Sequence, residues 1–123
     1  MQELDPSIPE SVVKTRLSDM VEKGYECAGI YVHNELIGIC GIWTLVKYYV
    51  GKHIEPDNVY IKAEYRSWGI GKKLDRWLIE FAQSRSCKAF ELNCYGNNKE
   101  GLYFWDSNDY LKLGYITRKR FYK

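Results

Sequence analysis

Residues 65–74 read YRSWGIGKKL. Gly69 and Gly71 stand between Arg66 and the pair Lys72-Lys73, where a polar turn passes into an apolar pattern. Ile70, Leu74, Trp77, Leu78, Phe81 and Ala82 recur at helical spacing, while Lys73, Asp75, Arg76, Glu80 and Gln83 take the other face, which predicts an amphipathic helix. Val59 to Ala63 just upstream has strand character, so the decapeptide is a strand-to-helix junction. The first N–H groups of a helix have no partner inside it and carry partial positive charge. Glycine lets a ligand approach the backbone and permits the positive φ of an amide nest. With Arg66, Lys72 and Lys73 adding charge, the segment suits a pyrophosphate. The bland alternative is a tight strand-to-helix turn.

Downstream, Ala89 to Tyr95 returns to strand character and Gly96-Asn97-Asn98 breaks the chain. A mixed polar and aromatic segment, expected to be helical, runs to Leu113, and Gly114 stops it before a final strand from Tyr115. Upstream, Val12, Val13, Leu17, Met20 and Val21 predict a helix over Pro9 to Lys23, with Ser11 able to cap it and Gly24 able to stop it. Cys27 to Val32 and Leu36 to Val50 read as a hairpin around His33-Asn34-Glu35. Gly38 and Gly41 suggest a bulge in its second strand, and Pro56-Asp57-Asn58 reads as the next turn. The order helix, three strands, helix, strand, helix, strand implies one α/β domain over residues 1–123. Its mixed central sheet is an antiparallel meander feeding one strand-helix-strand crossover, with helices on both faces. A ligand belongs near the carboxyl end of the third strand.

A chain of 123 residues with 46% hydrophobic and 28% charged content suits a single globular domain. A net charge of +2 makes no demand for nucleic acid or an acidic membrane; a nucleic-acid reading would rest on the tail Arg120-Phe121-Tyr122-Lys123 alone. Cys27, Cys40, Cys87 and Cys94 form no C-x-x-C pair, and no histidine stands at metal-ligand spacing. They read as buried thiols of a reducing compartment, and no metal centre is expected. No basic leader or membrane-length apolar run is present, so a cytoplasmic protein is expected.

Spacing narrows the phosphate ligand. A Walker A loop would need glycine at Arg66 and Ser or Thr at Lys73, and a dinucleotide fingerprint would need its third glycine at Leu74. What remains is R-x-x-G-x-G, Arg66-Ser67-Trp68-Gly69-Ile70-Gly71. After a short strand and before an amphipathic helix, this resembles the acetyl-CoA site of the GNAT superfamily of N-acetyltransferases. NVYIKAEYRSWGIGKKL is similar to the family's strand, loop and helix, and YLKLGY to its later helix end and strand. The resemblance runs from about Leu36 to the C-terminus.

The resemblance implies a third strand that splays from the one following the helix, with the pantetheine arm of acetyl-CoA in the opening. It implies that the backbone of Ile61 and Ala63 bonds the acetyl and pantetheine groups. The amides of Arg66, Ser67, Trp68, Gly69, Ile70, Gly71 and Lys72 would then hold the pyrophosphate, and Asn98, or Asn97, would touch pantetheine from a helix start. The implied chemistry is direct transfer of an acetyl group from the thioester to an amine. That needs a proton removed from the ammonium and one returned to the departing thiolate. The family's donor is often a tyrosine four residues before the glycine that ends the helix, which places Tyr110 in that role, with Tyr103 as its rival. Glu55, Asp57, Glu64 and His53 are candidates for the base, each with an ordinary structural use as the alternative. Trp43, Tyr48, Tyr49 and Trp105 could line an amine pocket or simply pack.

Two departures from the family pattern stand out. The segment from Asn98 to Gly114 is longer than the family's usual spacing. Only MQELDPSI precedes the first predicted helix, so either the family's first strand is missing, as expected here, or the start was placed late. The strand at Cys27 to Val32 would then be an open edge suited to a homodimer. The alternative function is a CoA-binding regulatory or interaction module without catalysis.

Overall fold

The computed structural model describes residues 7–94, 98, 101, 103–105, 108, 110–114 and 117–121. The chain falls into two compact units, Met1–Leu92 and Asn93–Lys123, described separately below.

The first unit begins with helix α1, Glu10–Glu22. Its N-cap is Pro9, and no side chain caps it. Ser11 does not serve as the cap; it is the second residue of the helix, where its carbonyl accepts the Thr15 hydroxyl at 3.0 Å. Gly24, at φ +103°, ends the helix as expected.

Strands β1 (Glu26–Val32) and β2 (Glu35–Lys47) form the expected antiparallel hairpin. Its two-residue turn places both His33 (φ 49°) and Asn34 (φ 67°) in the left-handed region, the geometry whose twist matches flanking strands. The next two boundaries differ from expectation. The second strand stops at Lys47, a turn occupies residues 48–50, and β3 runs from Gly51 to Ile61. Pro56-Asp57-Asn58 is therefore inside a strand rather than a turn. The turn-forming residues make a bulge there: β2 passes from Ile39 to Gly41 while β3 passes from Tyr60 to Asp57, and Asn58 takes φ 55°. Gly38 and Gly41 lie on the strand facing it. A Cβ on Gly38 would stand 2.6 Å from the Tyr60 carbonyl oxygen, and one on Gly41 would collide with the Tyr25 hydroxyl.

The sheet order is β1-β2-β3. After β3 comes a short 3₁₀ turn, Ala63–Tyr65, and then helix α2, Ile70–Ser84. Leu74, Leu78 and Ala82 of α2 pack with Cys40, Ile42, Ile54 and Cys87 to form the core on one sheet face. On the other face Tyr25, which follows α1, stacks obliquely on Trp43 with ring centroids 5.2 Å apart. Beyond α2 the chain returns beside β3 in parallel: Ile54 N–H donates to the Ala89 carbonyl at 3.1 Å and Glu91 N–H to the Ile54 carbonyl at 3.0 Å. This is the expected crossover. Of the strand expected over Ala89 to Tyr95, the described residues 89–94 show one bridge, at Phe90, and Tyr95 lies outside the described residues.

In the second unit the helical residues among those described are Gly101 and 103–105, and the helix expected to run to Leu113 does not include 110–113. Residues 110–114 and 117–120 lack regular structure, and Tyr115, where the last strand was expected to begin, lies outside the described residues, as does Asn97. All four cysteines are free thiols; Cys40 and Cys87 are buried, but Cys27 is exposed and Cys94 only partly buried. Among the described residues no helix is long and apolar enough to cross a membrane.

Candidate active site

The site grows from how β3 ends. Within a strand, alternate residues send their N–H and C=O groups to the same side. Lys52 and Ile54 direct theirs to the outer edge, where the Lys52 carbonyl accepts Lys88 N–H at 3.3 Å. The next residue in that row is Pro56, which has no N–H and cannot extend a parallel ladder. Two residues later the bulge at Asn58 bends the strand. Within the first unit, pairing on this edge is confined to residues 52–54 of β3 and 88–91 of the returning chain. Among the described residues of this unit, no backbone hydrogen bond is made along the remainder of the edge, called the open edge below.

Past the bulge, Lys62 N–H donates to the Ile37 carbonyl at 2.8 Å, on the β2 side. By alternation the amides of Ile61 and Ala63 point to the open edge, as backbone contacts to an acyl-pantetheine arm require. The Ile61 carbonyl is occupied: Arg66 Nε donates to it at 2.8 Å, and the guanidinium lies 5.5 Å from the centroid of the Tyr60 ring. Arg66 therefore ties the loop back to the strand, in addition to any charge it offers a ligand.

The loop divides its amides into two sets. Arg66 N–H donates to the Ala63 carbonyl and Trp68 N–H to the Tyr65 carbonyl, both at 3.3 Å. Those two are consumed by the turn, against the expectation that every amide from Arg66 to Lys72 faces the ligand. The amides of Ser67, Gly69, Ile70, Gly71 and Lys72 have no hydrogen-bond partner among the described residues. Gly69 is the N-cap of α2 at φ 74°, ψ 14°, with no side-chain cap. A Cβ there would meet no protein atom within 4 Å. The glycine thus answers a backbone conformation and not protein crowding. Trp68 is exposed, and its ring meets Tyr65 edge-on at 4.8 Å. Tyr65 in turn donates its hydroxyl to Glu35 Oε2 at 2.9 Å, and that bond pushes its pKa up.

The candidate bases are on or just after β3. His53 is wholly buried. Glu55 Oε2 accepts from Lys47 Nζ at 2.8 Å. Burial raises its pKa, but the bonds to Lys47 and His53 outweigh it and hold the carboxyl below its ordinary value. Asp57 Oδ2 accepts the Trp43 indole N–H at 3.0 Å. Glu64 is exposed on the 3₁₀ turn. Of the possible pocket aromatics, Tyr48 is fully exposed, and Tyr49 donates its hydroxyl to Glu91 Oε1 at 3.1 Å. Glu91, Pro56 and Asn58 were not read as site-forming in the sequence; the proline inside a strand pattern was the available signal.

In the second unit, Asn98 Oδ1 accepts the Gly101 N–H at 3.0 Å, a helix-start bond of the expected kind. Tyr110 stands after the helical residues instead of inside a helix. Its N–H donates to the Trp105 carbonyl at 3.1 Å, and its ring meets that of Trp105 at 4.9 Å, nearly perpendicular. Tyr103 is exposed within the helical residues.

The profile of the acetyltransferase (GNAT) family matches residues 2–110. Thialysine N-epsilon-acetyltransferase of Sus scrofa is 28% identical over 67 residues, 54% of this chain and 39% of that protein. The Caenorhabditis elegans protein of the same name is 21% identical over 112 residues, 91% of this chain and 69% of its own length. The chain thus spans well under half of the pig relative and about two thirds of the nematode one. Among solved structures, AAC(6')-Iy in complex with a bisubstrate analogue of CoA superposes with a TM-score of 0.80 at 11% identity, covering 97% of this chain and 84% of that one. A GNAT family acetyltransferase of Staphylococcus aureus gives 0.72 at 23% identity, with 92% and 78% covered. At these identities the superpositions speak for the fold alone.

Proposed function

This chain belongs to the GNAT family of acetyltransferases, and from that premise we propose that it transfers the acetyl group of acetyl-CoA directly to an amine of a small molecule or protein, residues 1–123 working as one catalytic domain. The observation that carries the reading is the row of unpartnered amides at Ser67, Gly69, Ile70, Gly71 and Lys72, at the start of α2 and beside the open edge of β3. Amides so placed give a diphosphate short charge-assisted bonds without a conformational change. The outward amides of Ile61 and Ala63 would hold the acyl-pantetheine arm, with Asn98 as a further contact.

Bound acetyl-CoA supplies an activated acyl carbon, and the chain supplies position and proton transfer. Glu55 is committed to Lys47 and His53, and Glu64 sits on an exposed turn. Asp57 uses Oδ2 for Trp43, and its Oδ1 has no hydrogen-bond partner among the described residues. We therefore assign to Asp57 the removal of the ammonium proton through a water, and to Tyr110 the return of a proton to the thiolate. The curated relatives act on thialysine by name, so lysine-like side-chain amines head the acceptor panel.

The test is a thermal-shift titration with CoA and acetyl-CoA, followed by thiol release over an amine panel. Stabilisation by both cofactor forms and acceptor-dependent thiol release are expected; no shift with either form refutes the reading. Stabilisation without turnover on any amine would favour the CoA-binding module, a reading that draws on the position of Tyr110 outside a helix. Replacing Tyr110 with Phe separates the two further: turnover should fall by about a hundredfold or more with CoA affinity retained. Unchanged turnover removes Tyr110 from the chemistry.

A further inference from the structure

On the sheet face opposite α2, His53 and Glu55 project side by side from β3, because residues two apart on a strand share a face. Glu91 joins them through the parallel pairing at Phe90. His53 is 0% exposed; its Nδ1 lies 3.0 Å from the Gly51 carbonyl oxygen and its Nε2 2.8 Å from Glu55 Oε2. A carbonyl oxygen and an ionised carboxylate only accept hydrogen bonds. A ring that donates from Nδ1 to Gly51 therefore turns toward the carboxylates an Nε2 that needs either a second proton or a cation. Glu91 Oε1 is 3.9 Å from the same Nε2, and the Tyr49 hydroxyl holds it at 3.1 Å.

One donor atom from each of His53, Glu55 and Glu91 lies within 4.8 Å of the others. Donors of a tetrahedral zinc site stand about 3.4 Å apart, given bonds of roughly 2.0–2.2 Å. Separations of 2.8 and 3.9 Å bracket that value. The surroundings are those of a metal-bound imidazole: the other ring nitrogen is tied to a backbone carbonyl, and a carboxylate is held by a hydroxyl. The charge is also matched, since two carboxylates face one divalent ion.

We propose that His53, Glu55 and Glu91 bind one divalent transition-metal ion of the zinc type, which clamps β3 to the returning chain at the last residues the two share. Lys47 occupies the cation's place in the metal-free protein: its Nζ is 2.8 Å from Glu55 Oε2 and 3.9 Å from Glu91 Oε1. The lysine is 40% exposed and can swing its ammonium into water on a flexible stem. Binding then exchanges that ammonium, with any proton on Nε2, for the metal. The proposal is independent of acetyl transfer, because it concerns the closed end of the β3 edge and not the open end.

The full chain, stripped with a chelator, is titrated with zinc chloride by calorimetry and with cobalt chloride by visible absorption. One saturable equivalent, a tetrahedral cobalt spectrum and a rise in Tm are expected. Glu91→Gln and Glu55→Gln should each weaken uptake tenfold or more, while circular dichroism confirms that each still folds. Lys47→Met should tighten it several-fold by removing the competitor. Absence of stoichiometric uptake overturns the proposal. So does uptake undiminished in the Glu55→Gln, Glu91→Gln double variant, which would place the metal on the thiols, and so does weaker uptake in Lys47→Met.

Discussion

Gly69 and Gly51 offer a matched comparison for the phosphate-binding loop. Both take positive φ, 74° and 78°, and a Cβ on either meets no protein atom within 4 Å. Replacing either with Ala therefore carries only the cost of a left-handed conformation, about 1 kcal/mol. With an unfolding entropy near 2.1 cal/mol/K per residue, this chain has about 0.26 kcal/mol/K, so each variant should melt about 4 °C lower. The two must then part company on ligand binding. The Gly69→Ala methyl would stand among the free amides at the start of α2, and its strain would disturb the nest itself. CoA affinity should fall at least tenfold, about 1.4 kcal/mol, in Gly69→Ala and stay within twofold of the parent in Gly51→Ala. Calorimetric titration of CoA into the three proteins, beside their melting curves, reads both quantities. Equal CoA affinity in Gly69→Ala and the parent would refute the loop as the diphosphate site. Equal losses in both variants would show that stability alone governs binding.

Other consequences are more local. Ile54 is wholly buried where β3, α2 and the returning chain meet, so Ile54→Ala should cost about 2–5 kcal/mol in denaturant unfolding; a loss under about 1 kcal/mol would mean that this core is not closed. Glu26 accepts from Arg85 Nη2 at 2.9 Å, and that bond holds its carboxyl below the ordinary 4.5. A depressed carboxyl adds stability above its unfolded value and loses it as pH falls toward the folded one. Between about pH 5 and about pH 3 the Tm of Glu26→Gln should therefore fall less steeply than that of the parent, and parallel curves would discount the pair. Asp57→Asn should lower kcat/KM for acetyl transfer by about a hundredfold or more if Asp57 draws off the proton, and unchanged kcat/KM would assign that role to another group.

Much of the first unit was legible from local rules. The periodicity of Ile70, Leu74, Leu78 and Ala82 gave α2 because an amphipathic helix must bury one stripe. The order of elements gave the crossover, and R-x-x-G-x-G gave the loop, since glycine at positive φ is a local requirement. The misreadings were also local. Pro56-Asp57-Asn58 carries turn residues, yet in β3 the proline sits at an edge position where its missing N–H is tolerated, and Asn58 accepts the bulge. The helix expected to run to Leu113 does not include residues 110–113, where a mixed aromatic segment has no clear period. There Tyr110 packs on Trp105 through contacts that sequence spacing does not encode.

By itself, then, the sequence determined the loop, the long helix, the hairpin and the family, because each depends on conformational preferences within a few neighbouring residues. Tertiary structure alone decided that Glu91 meets Glu55 and His53, across 36 and 38 positions of chain. Which loop amides stay free was a local matter that residue types did not reveal, since Arg66 and Trp68 spend theirs on carbonyls three residues back in the turn. The physical reason is that side chains cluster by distance in space, and strand pairing joins residues that are remote along the chain.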